Sequence, residues 1–587
     1  MEKYREILAR VLFELFGLDA EFDFSRTDEK FGDFATNAAM VIFGSAKKDE
    51  QMREKLDQQG VKSPRDLAEK IREKLMESGE FAKVEIAGPG FLNLSIDSKN
   101  LAKTLDESFL GEQKFGTSRK NSGKTAVVEY PSPNVAKPYS VGHLRPGNQG
   151  WAAKNLLESQ GWKVITDNHI GDAGSPFGYW VLGFKKYSDR EKLAKRGVYE
   201  LGDVYIKIRA DLKAEEKAAE SDPSQSTPLA DEAQNWLKRL EAGDAEAEEF
   251  SRTFTEISLA HIHNVMRRLG ISTQFEYGEK FFAPMGKDLV AKLVSEKKAI
   301  KNPDGSVIVS LEEQGIKTPM LLQKSNGANL YATGDLATLV WREENWHPDL
   351  TVYAVGGEQK FYFEQVAALA KKLGLKQEVY HLWFGTIDQI NEDGTRSKMS
   401  SRKGVVLMEE LLDFAFERAK QNAKSDDMSE NDLKKISVGA IKFADFSADR
   451  RTGMLFDWDS IFSLTGFSGP YVQYAAVRAK KILRENLLAN NFANFDYDFL
   501  AEKNLILKLL EYPGVVALAT DKLEPHRVAS YAFELAKELN KYYEKTPVAT
   551  AEVQPEIREK RLEVLLKVAE VFESALGILG IEIPDKM

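Results

Sequence analysis

Apolar positions follow three different regimes along the chain. From residue 1 to about 110, helical spacing alternates with short strand-like runs, beginning with the amphipathic "MEKYREILARVLFELFG". The segment ends in "VEIAGPGFLNLSI", where Gly88-Pro89-Gly90 reads as a turn leading into a strand. This predicts a small α+β domain over residues 1–110, followed by the polar link "GEQKFGTSRKNSGK". From about 120 to 405 the apolar strand-like runs "TAVVEY", "WKVITDN", "TVYAVGG" and "YHLWFGT" alternate with the helical "WAAKNLLESQG" and "FYFEQVAALAKKLG". That alternation predicts an α/β fold with a doubly wound parallel sheet. Residues 185–265 interrupt it with charged helical sequence, expected to form a solvated helical hairpin. Beyond about 405 nearly all the periodicity is helical, so residues 406–587 are expected to form an all-α bundle.

At 587 residues the chain exceeds a single core, and 43% hydrophobic with 29% charged residues describes a globular protein. The first helix carries both charge signs and lacks the apolar core and cleavage site of a signal peptide. No run approaches the roughly 20 apolar residues of a membrane span, so the expectation is a cytoplasmic protein without membrane contact. The absence of cysteine excludes disulfides, thiol nucleophiles and thiolate zinc sites, and the 7 histidines show no metal-ligand spacing. No metal site is expected. A net charge of −10 argues against non-specific nucleic-acid coating but allows a local basic groove against RNA.

The candidate chemistry begins at "PNVAKPYSVGH", directly after "TAVVEY". Ligands of open α/β sheets sit at the carboxyl ends of the strands. A loop leading there into a helix offers free N–H groups and a positive dipole end to phosphate. Gly142 lacks a Cβ and would let a base or ribose approach, while His143 and Lys137 could donate to oxygens gaining charge at an attacked phosphoryl centre. A plain strand-to-helix turn is the alternative. A second stretch, "RSKMSSRKG" from Arg396 to Gly404, carries four cations and a terminal glycine without apolar spacing. Such a loop could close over polyphosphate, or be a basic surface loop. Together the two stretches place one candidate phosphate loop in each half of the same sheet.

These stretches resemble the His-x-Gly-His and Lys-Met-Ser-Lys signatures of class I aminoacyl-tRNA synthetases. Their surroundings resemble the arginyl-tRNA synthetase family in particular. "SPNVAKPYSVGHLR", "DNHIGDAGSPFG", "YATGDLA", "GGEQKFYFEQV", "KMSSRKG" and "FSGPYVQYAAVRA" occur in the family's order and spacing, as do "FGDFATNAAM", "AGPGFLN" and the terminal "IPDKM". The resemblance implies an N-terminal module touching the tRNA elbow, a Rossmann-type catalytic domain and a helical anticodon-binding domain. It implies activation of L-arginine by ATP, accompanied by Mg2+, then transfer to the 3′-terminal adenosine of tRNA(Arg), with bound tRNA needed for activation. It further implies a monomer and no protein-bound zinc. The catalytic positions fall on Lys137, Ser140, Gly142, His143, Lys398, Ser400 and Lys403. ATP contacts fall on Ser132, Pro133, Asn134, Gly142, His143, Lys398 and Met399.

Arginine presents a planar fork of donors that pairs best with carboxylates. Glu129 and Asp335 are acids suited to that task, although Asp335 could also cap a helix. The resemblance places the amino-acid pocket on Glu129, Asn134, Tyr331, Asp335 and Gln359, with Asp335 and Tyr331 on the guanidinium. It places D-loop contacts on Phe91 and Asn93, and anticodon-loop contacts on Tyr471, Tyr474, Tyr542 and Met587. Flipped-out bases stack on aromatic faces, and core packing is the alternative for each. The chain departs from the family pattern at Ser140, where the signature has histidine, at Pro146, where serine is usual, and at Ser401, where lysine is usual. Ser140 is expected to reach phosphate only through water. A proline at 146 cannot donate into a helix begun at Val141, which predicts a kink or a later start. Alternative readings are a class I lysine-specific synthetase, a stand-alone adenylate-forming ligase and a non-catalytic RNA-binding descendant.

Overall fold

The computed structural model describes residues 2–17, 21–47, 49–110, 114–174, 176–221, 228–390, 395–399, 406–423, 428–486 and 497–587. The chain forms two compact units. One comprises Met1–Thr117, Arg478–Ala517 and Glu534–Phe572, and the other Ser118–Val477, Leu518–Phe533 and Glu573–Met587.

The first unit contains an antiparallel sheet ordered Phe24–Arg26, Phe34–Thr36, Phe91–Ile96, Phe81–Ala87. Strict alternation in Phe91–Ile96 buries Leu92, Leu94 and Ile96 and turns Phe91 and Asn93 to the other face. The helix Pro64–Glu77 starts where its sequence says it should: the Ser63 side chain accepts the Asp66 N–H at 3.1 Å, and Pro64 sits at the first position. Gly90 has φ 141°, and a Cβ there would stand 2.8 Å from the Pro64 carbonyl oxygen, so glycine is required at this turn.

The second unit is built on a parallel sheet ordered Glu378–His381, Leu350–Tyr353, Thr125–Glu129, Lys163–Asp167. Its central strands bury both faces. Val352 joins Val128, Ala153 and Leu157 on one side, and Tyr353 joins Leu336, Phe363 and Val366 on the other. The helix Leu144–Ser159 therefore covers one face while Tyr331–Trp346 and Lys360–Leu373 cover the opposite one, as expected for a doubly wound fold. Two further small sheets join Ile300–Lys301, Val307–Leu311 and Ile316–Gln323, and Arg396–Lys398, Ile387–Ile390 and Met454–Phe456. The strand Met454–Phe456 lies in sequence otherwise read as helical, and it pairs parallel to Ile387–Ile390.

The charged insertion is not a solvated hairpin. Trp180, Leu201, Ile208, Trp236 and Phe254 form a buried cluster that also takes in Val135 and Ala136 of the phosphate-loop candidate. Charge density concealed this core, because its apolar residues are spread thinly over long helices. Among the described residues no helix is long and apolar enough to cross a membrane.

Candidate active site

The loop after Thr125–Glu129 is tied to the segment following the neighbouring strand. Val135 donates its N–H to the Gly171 carbonyl and Gly171 donates to the Pro133 carbonyl, both at 3.1 Å. Asn134 lays its amide over Gly171, where a Cβ would overlap it. Ser132 and Ala136 hold left-handed φ angles of 52° and 56°, a conformation that side-chain-bearing residues keep only when their surroundings enforce it. The Ser132 N–H donates to Asn168 Oδ1 at 3.2 Å, and its buried Oγ has no hydrogen-bond partner among the described residues.

Val141–His143 forms a single 3-10 turn, and the α-helix begins only at Leu144. Pro146 is thus the third residue of the helix, where an N–H would have no intrahelical acceptor. The later start expected from this proline is what the structure adopts. Ser140 does not point its hydroxyl outward as a spare phosphate donor. Its backbone N–H donates to His143 Nδ1 at 3.2 Å and its Oγ lies 3.3 Å from the same nitrogen. Burial, reinforced by the Lys137 charge, pushes the His143 pKa down to about 4. The imidazole is therefore neutral at pH 7, and with Nδ1 accepting from Ser140 its proton belongs on Nε2, which is left as a donor. Lys137 is exposed, its ammonium 5.5 Å from the Tyr205 ring, and Gly142 is exposed on the turn.

The second basic stretch is only partly a loop. Arg396–Lys398 is a strand whose Lys398 stands opposite Asp388, and Arg396 Nε donates to Asp388 Oδ2 at 2.7 Å. The Met399 N–H donates to the Ile387 carbonyl at 2.8 Å and its side chain packs against the main core. The Lys398 side chain, Ser400 and the 401–405 segment with Lys403 lie outside the described residues. Directly beyond them the two signatures meet: Val141 donates to the Val406 carbonyl and Met408 to the Tyr139 carbonyl, both at 3.0 Å.

Acidic residues gather at the same sheet edge. Glu129 is buried and ion-paired, because Arg342 Nη2 bonds both Glu129 Oε2 and Asp167 Oδ2 at 2.7 Å. Although burial opposes its charge, the Glu129 and Asp167 carboxylates hold Arg342 firmly protonated. Glu129, Asp167 and His169 have ligand atoms within 4.8 Å of one another. The Arg342 guanidinium already takes the place a cation would fill beside the two carboxylates. This residue was not legible in the sequence, since nothing in "TLVWREENW" sets one helix arginine apart.

Asp335 differs. One turn after Tyr331 on the helix Tyr331–Trp346, it accepts from the Tyr362 hydroxyl and has no ion-pair partner among the described residues. Burial raises its pKa despite that hydrogen bond. Asp172 is raised by burial too, even though it accepts the Lys280 N–H at 2.8 Å. Burial, with Asp172 and Asp335 nearby, raises Glu279 to about 7. Three partly desolvated carboxylates thus share a region without an ion pair to any of them among the described residues, although the Lys280 charge acts on Asp172 and the Arg342 charge on Asp335. Neither Asp172 nor Glu279 is marked by the sequence: the acid in "DNHIGDAG" has no local pattern that sets it apart, and Glu279 sits in an ordinary helix start. Tyr331 is 76% exposed and Gln359 is exposed at the start of Lys360–Leu373.

Of the RNA-contact candidates, Phe91 is 41% exposed and shares its strand face with Asn93. Tyr474 and Met587 line one apolar cavity together with Met428, Ile436, Phe462 and Pro470. The tail bearing Met587 is held by Lys442 Nζ on the Gly580 carbonyl at 2.8 Å and by the Asp585 N–H on Asp432 Oδ1 at 2.7 Å. Tyr471 is half-buried against Phe533. Tyr542 must be withdrawn as a stacking surface: it is buried, with its hydroxyl donating to Glu502 Oε1 at 2.8 Å in a network shared with Arg561.

A family model described as "tRNA synthetases class I (R), catalytic domain" matches residues 105–458. An arginine–tRNA ligase of Streptococcus thermophilus is 34% identical over 90% of this chain and 91% of its own length. The chain belongs to the arginyl-tRNA synthetase family. The family's N-terminal domain model matches residues 2–96 and a DALR anticodon binding domain model matches 472–587. An arginine–tRNA ligase of Fusobacterium nucleatum is 32% identical over 96% of this chain and 94% of its own. Among solved structures, the arginyl-tRNA synthetase of Thermus thermophilus superposes with a TM-score of 0.77 at 22% identity, covering 100% of both chains. That of Plasmodium falciparum gives 0.77 at 21%, covering 100% of this chain and 99% of that one, so the whole fold is shared. In this chain the phosphate-loop candidate stands at the carboxyl end of the parallel sheet.

Proposed function

We propose that the protein is an arginine–tRNA ligase. The observation carrying this reading is the group of Asp172, Glu279 and Asp335, carboxylates raised in pKa by burial and without an ion pair among the described residues. A bound guanidinium would supply a paired charge and donate to several acceptors at once. The name borne by the Streptococcus thermophilus and Fusobacterium nucleatum relatives favours arginine over lysine.

In the proposed reaction the arginine carboxylate attacks the α-phosphorus of Mg2+-bound ATP. The bond to the bridging oxygen breaks, and pyrophosphate leaves with its electron pair. A hydroxyl of the 3′-terminal adenosine of tRNA(Arg) then attacks the arginyl carbonyl, and AMP leaves. The neutral His143 donates from Nε2, and Lys137 adds positive charge, to phosphate oxygens whose charge grows in the transition state. Lys398 would act on the polyphosphate from the other signature. Asn134 and Gln359 would hold the amino-acid backbone, and Phe91, Asn93, Tyr474 and Met587 would meet tRNA.

ATP–pyrophosphate exchange with arginine, lysine and citrulline, with and without tRNA, tests the assignment. Arginine is expected to support exchange and lysine not to. Equal exchange with lysine would overturn it.

A further inference from the structure

We propose that Ser258 and His261, on the last helix of the insertion, are positioning residues for the first signature loop. The two lie three residues apart on the helix Ala245–Arg268 and so share a face. Ser258 Oγ accepts the Ala136 N–H at 2.7 Å and donates to the Phe254 carbonyl at 2.6 Å, fully buried. Ala136 is one of the residues in a left-handed conformation, so this bond secures a strained backbone position. His261 Nε2 accepts the Tyr139 N–H at 3.1 Å. Accepting there requires Nε2 to be unprotonated, and His261 Nδ1 faces Glu409 Oε2 at 3.7 Å. Glu409 is held in turn by the Tyr199 hydroxyl and by Asn264 Nδ2 at 3.2 Å.

Between the two anchored N–H groups lie Lys137 and Pro138. Pro138 has no N–H to satisfy and rests against Gly202, where a Cβ would come within 3.1 Å of its ring. The short segment carrying Lys137 is therefore gripped at both ends by one helix and from the side by another, and its far end delivers Ser140 and His143. Glu409 belongs to Met408–Asn422, the helix entered directly from the Val406–Met408 segment that bonds the first signature. His261 thus links the first signature to the helix that follows the second. Buried amide donors left without an acceptor are costly, so losing either side chain frees the loop to leave the geometry that ATP needs.

The inference rests on the arginine–tRNA ligase reading for its kinetic arm alone. Hydrogen–deuterium exchange of the ligand-free full chain over residues 134–143 tests it independently. In H261L, which keeps bulk but has no acceptor, and in S258A, this segment is expected to exchange faster than in the parent chain. H261Q, whose amide oxygen can accept the Tyr139 N–H, should exchange like the parent. In arginine-dependent exchange, H261L should lose about 10-fold in kcat, equivalent to one lost hydrogen bond, with KM for arginine unchanged, and H261Q should recover most of it. Parent-like deuterium uptake in both H261L and S258A would overturn the proposal, as would an H261Q variant no better than H261L in uptake. If the parent shows no exchange reaction with arginine, the ligase reading fails while the uptake result still decides the positioning role.

Discussion

Glu279 is a pH-sensitive member of the acidic cluster. Burial, opposed by His169 and assisted by Asp172 and Asp335, raises its pKa from 4.5 to about 7. For an acid raised on folding, the folded chain binds more protons between these values, so its contribution to stability falls as pH rises through that window. In the proposed pocket arginine would bind the ionised form, so affinity should rise across the same range. KM for arginine is accordingly expected to fall as pH is raised from about 6 to 8, and Glu279→Gln should flatten that profile while raising KM. An unchanged profile in the variant would remove Glu279 from the pocket. Asp335→Asn should lose about 10- to 150-fold in arginine kcat/KM, the equivalent of one hydrogen bond to a charged group at roughly 1.5 to 3 kcal/mol. The amide turns a donor toward the donor-only guanidinium, so citrulline should suffer less. Calorimetry alongside should show little change in Tm. A lowered Tm with intact kcat/KM would mean that Asp335 serves the fold instead.

The signature helix Leu144–Ser159 is fixed by a buried clamp. Arg145 Nε donates to Asp445 Oδ1 at 2.7 Å, while Nη1 donates to the carbonyls of Gly385 and Thr452 at 2.7 and 2.9 Å. One guanidinium joins the helix, the strand end leading to the second signature and the helix Glu430–Asp445. A lysine keeps the charge but cannot reproduce the fork. Arg145→Lys should therefore lower Tm by several degrees, and Arg145→Leu by more, since stranding Asp445 in the interior costs about 3–5 kcal/mol. Differential scanning calorimetry checks this; an R145K Tm within a degree of the parent would mean the clamp is dispensable. The same element scale explains Pro146, which looks disruptive in a helix pattern and is harmless once a 3-10 turn moves the helix start to Leu144.

Across the second unit, one helix touches both the tail and the signature helix. Asp432 accepts the Asp585 N–H near the start of Glu430–Asp445, and Asp445 receives Arg145 at its end. Occupancy of the cavity lined by Tyr474 and Met587 thus has a packed route to the first signature, and a ligand can shift an equilibrium by differential contact at such a site. Exchange with arginine is expected to require tRNA. Undiminished exchange by RNase-treated protein would refute that. The units themselves do not follow chain order, because residues 478–517 and 534–572 gather with the N-terminal 1–117.

Much of this was determined by sequence. The parallel strands are apolar on both faces because helices cover both, and the long C-terminal helices are amphipathic because each buries one stripe, so their periodicity is legible before folding. The loop carrying Lys137, Gly142 and His143 and the acid Asp335 could be singled out as candidates too, because their residue types suit phosphate and guanidinium. Only the tertiary structure decided which acids are ion-paired. Arg342, 213 residues from Glu129, neutralises it, while Asp172 and Glu279, from separate segments, join Asp335. It also turned Ser140 toward His143, buried Tyr542, and set Ser258 and His261 of the insertion against the loop at 122 residues' separation. Periodicity reports which side of an element is buried, but not which partner lies there. Pairings between residues so far apart in the chain leave no local pattern, and they exist only once the core has brought the elements together.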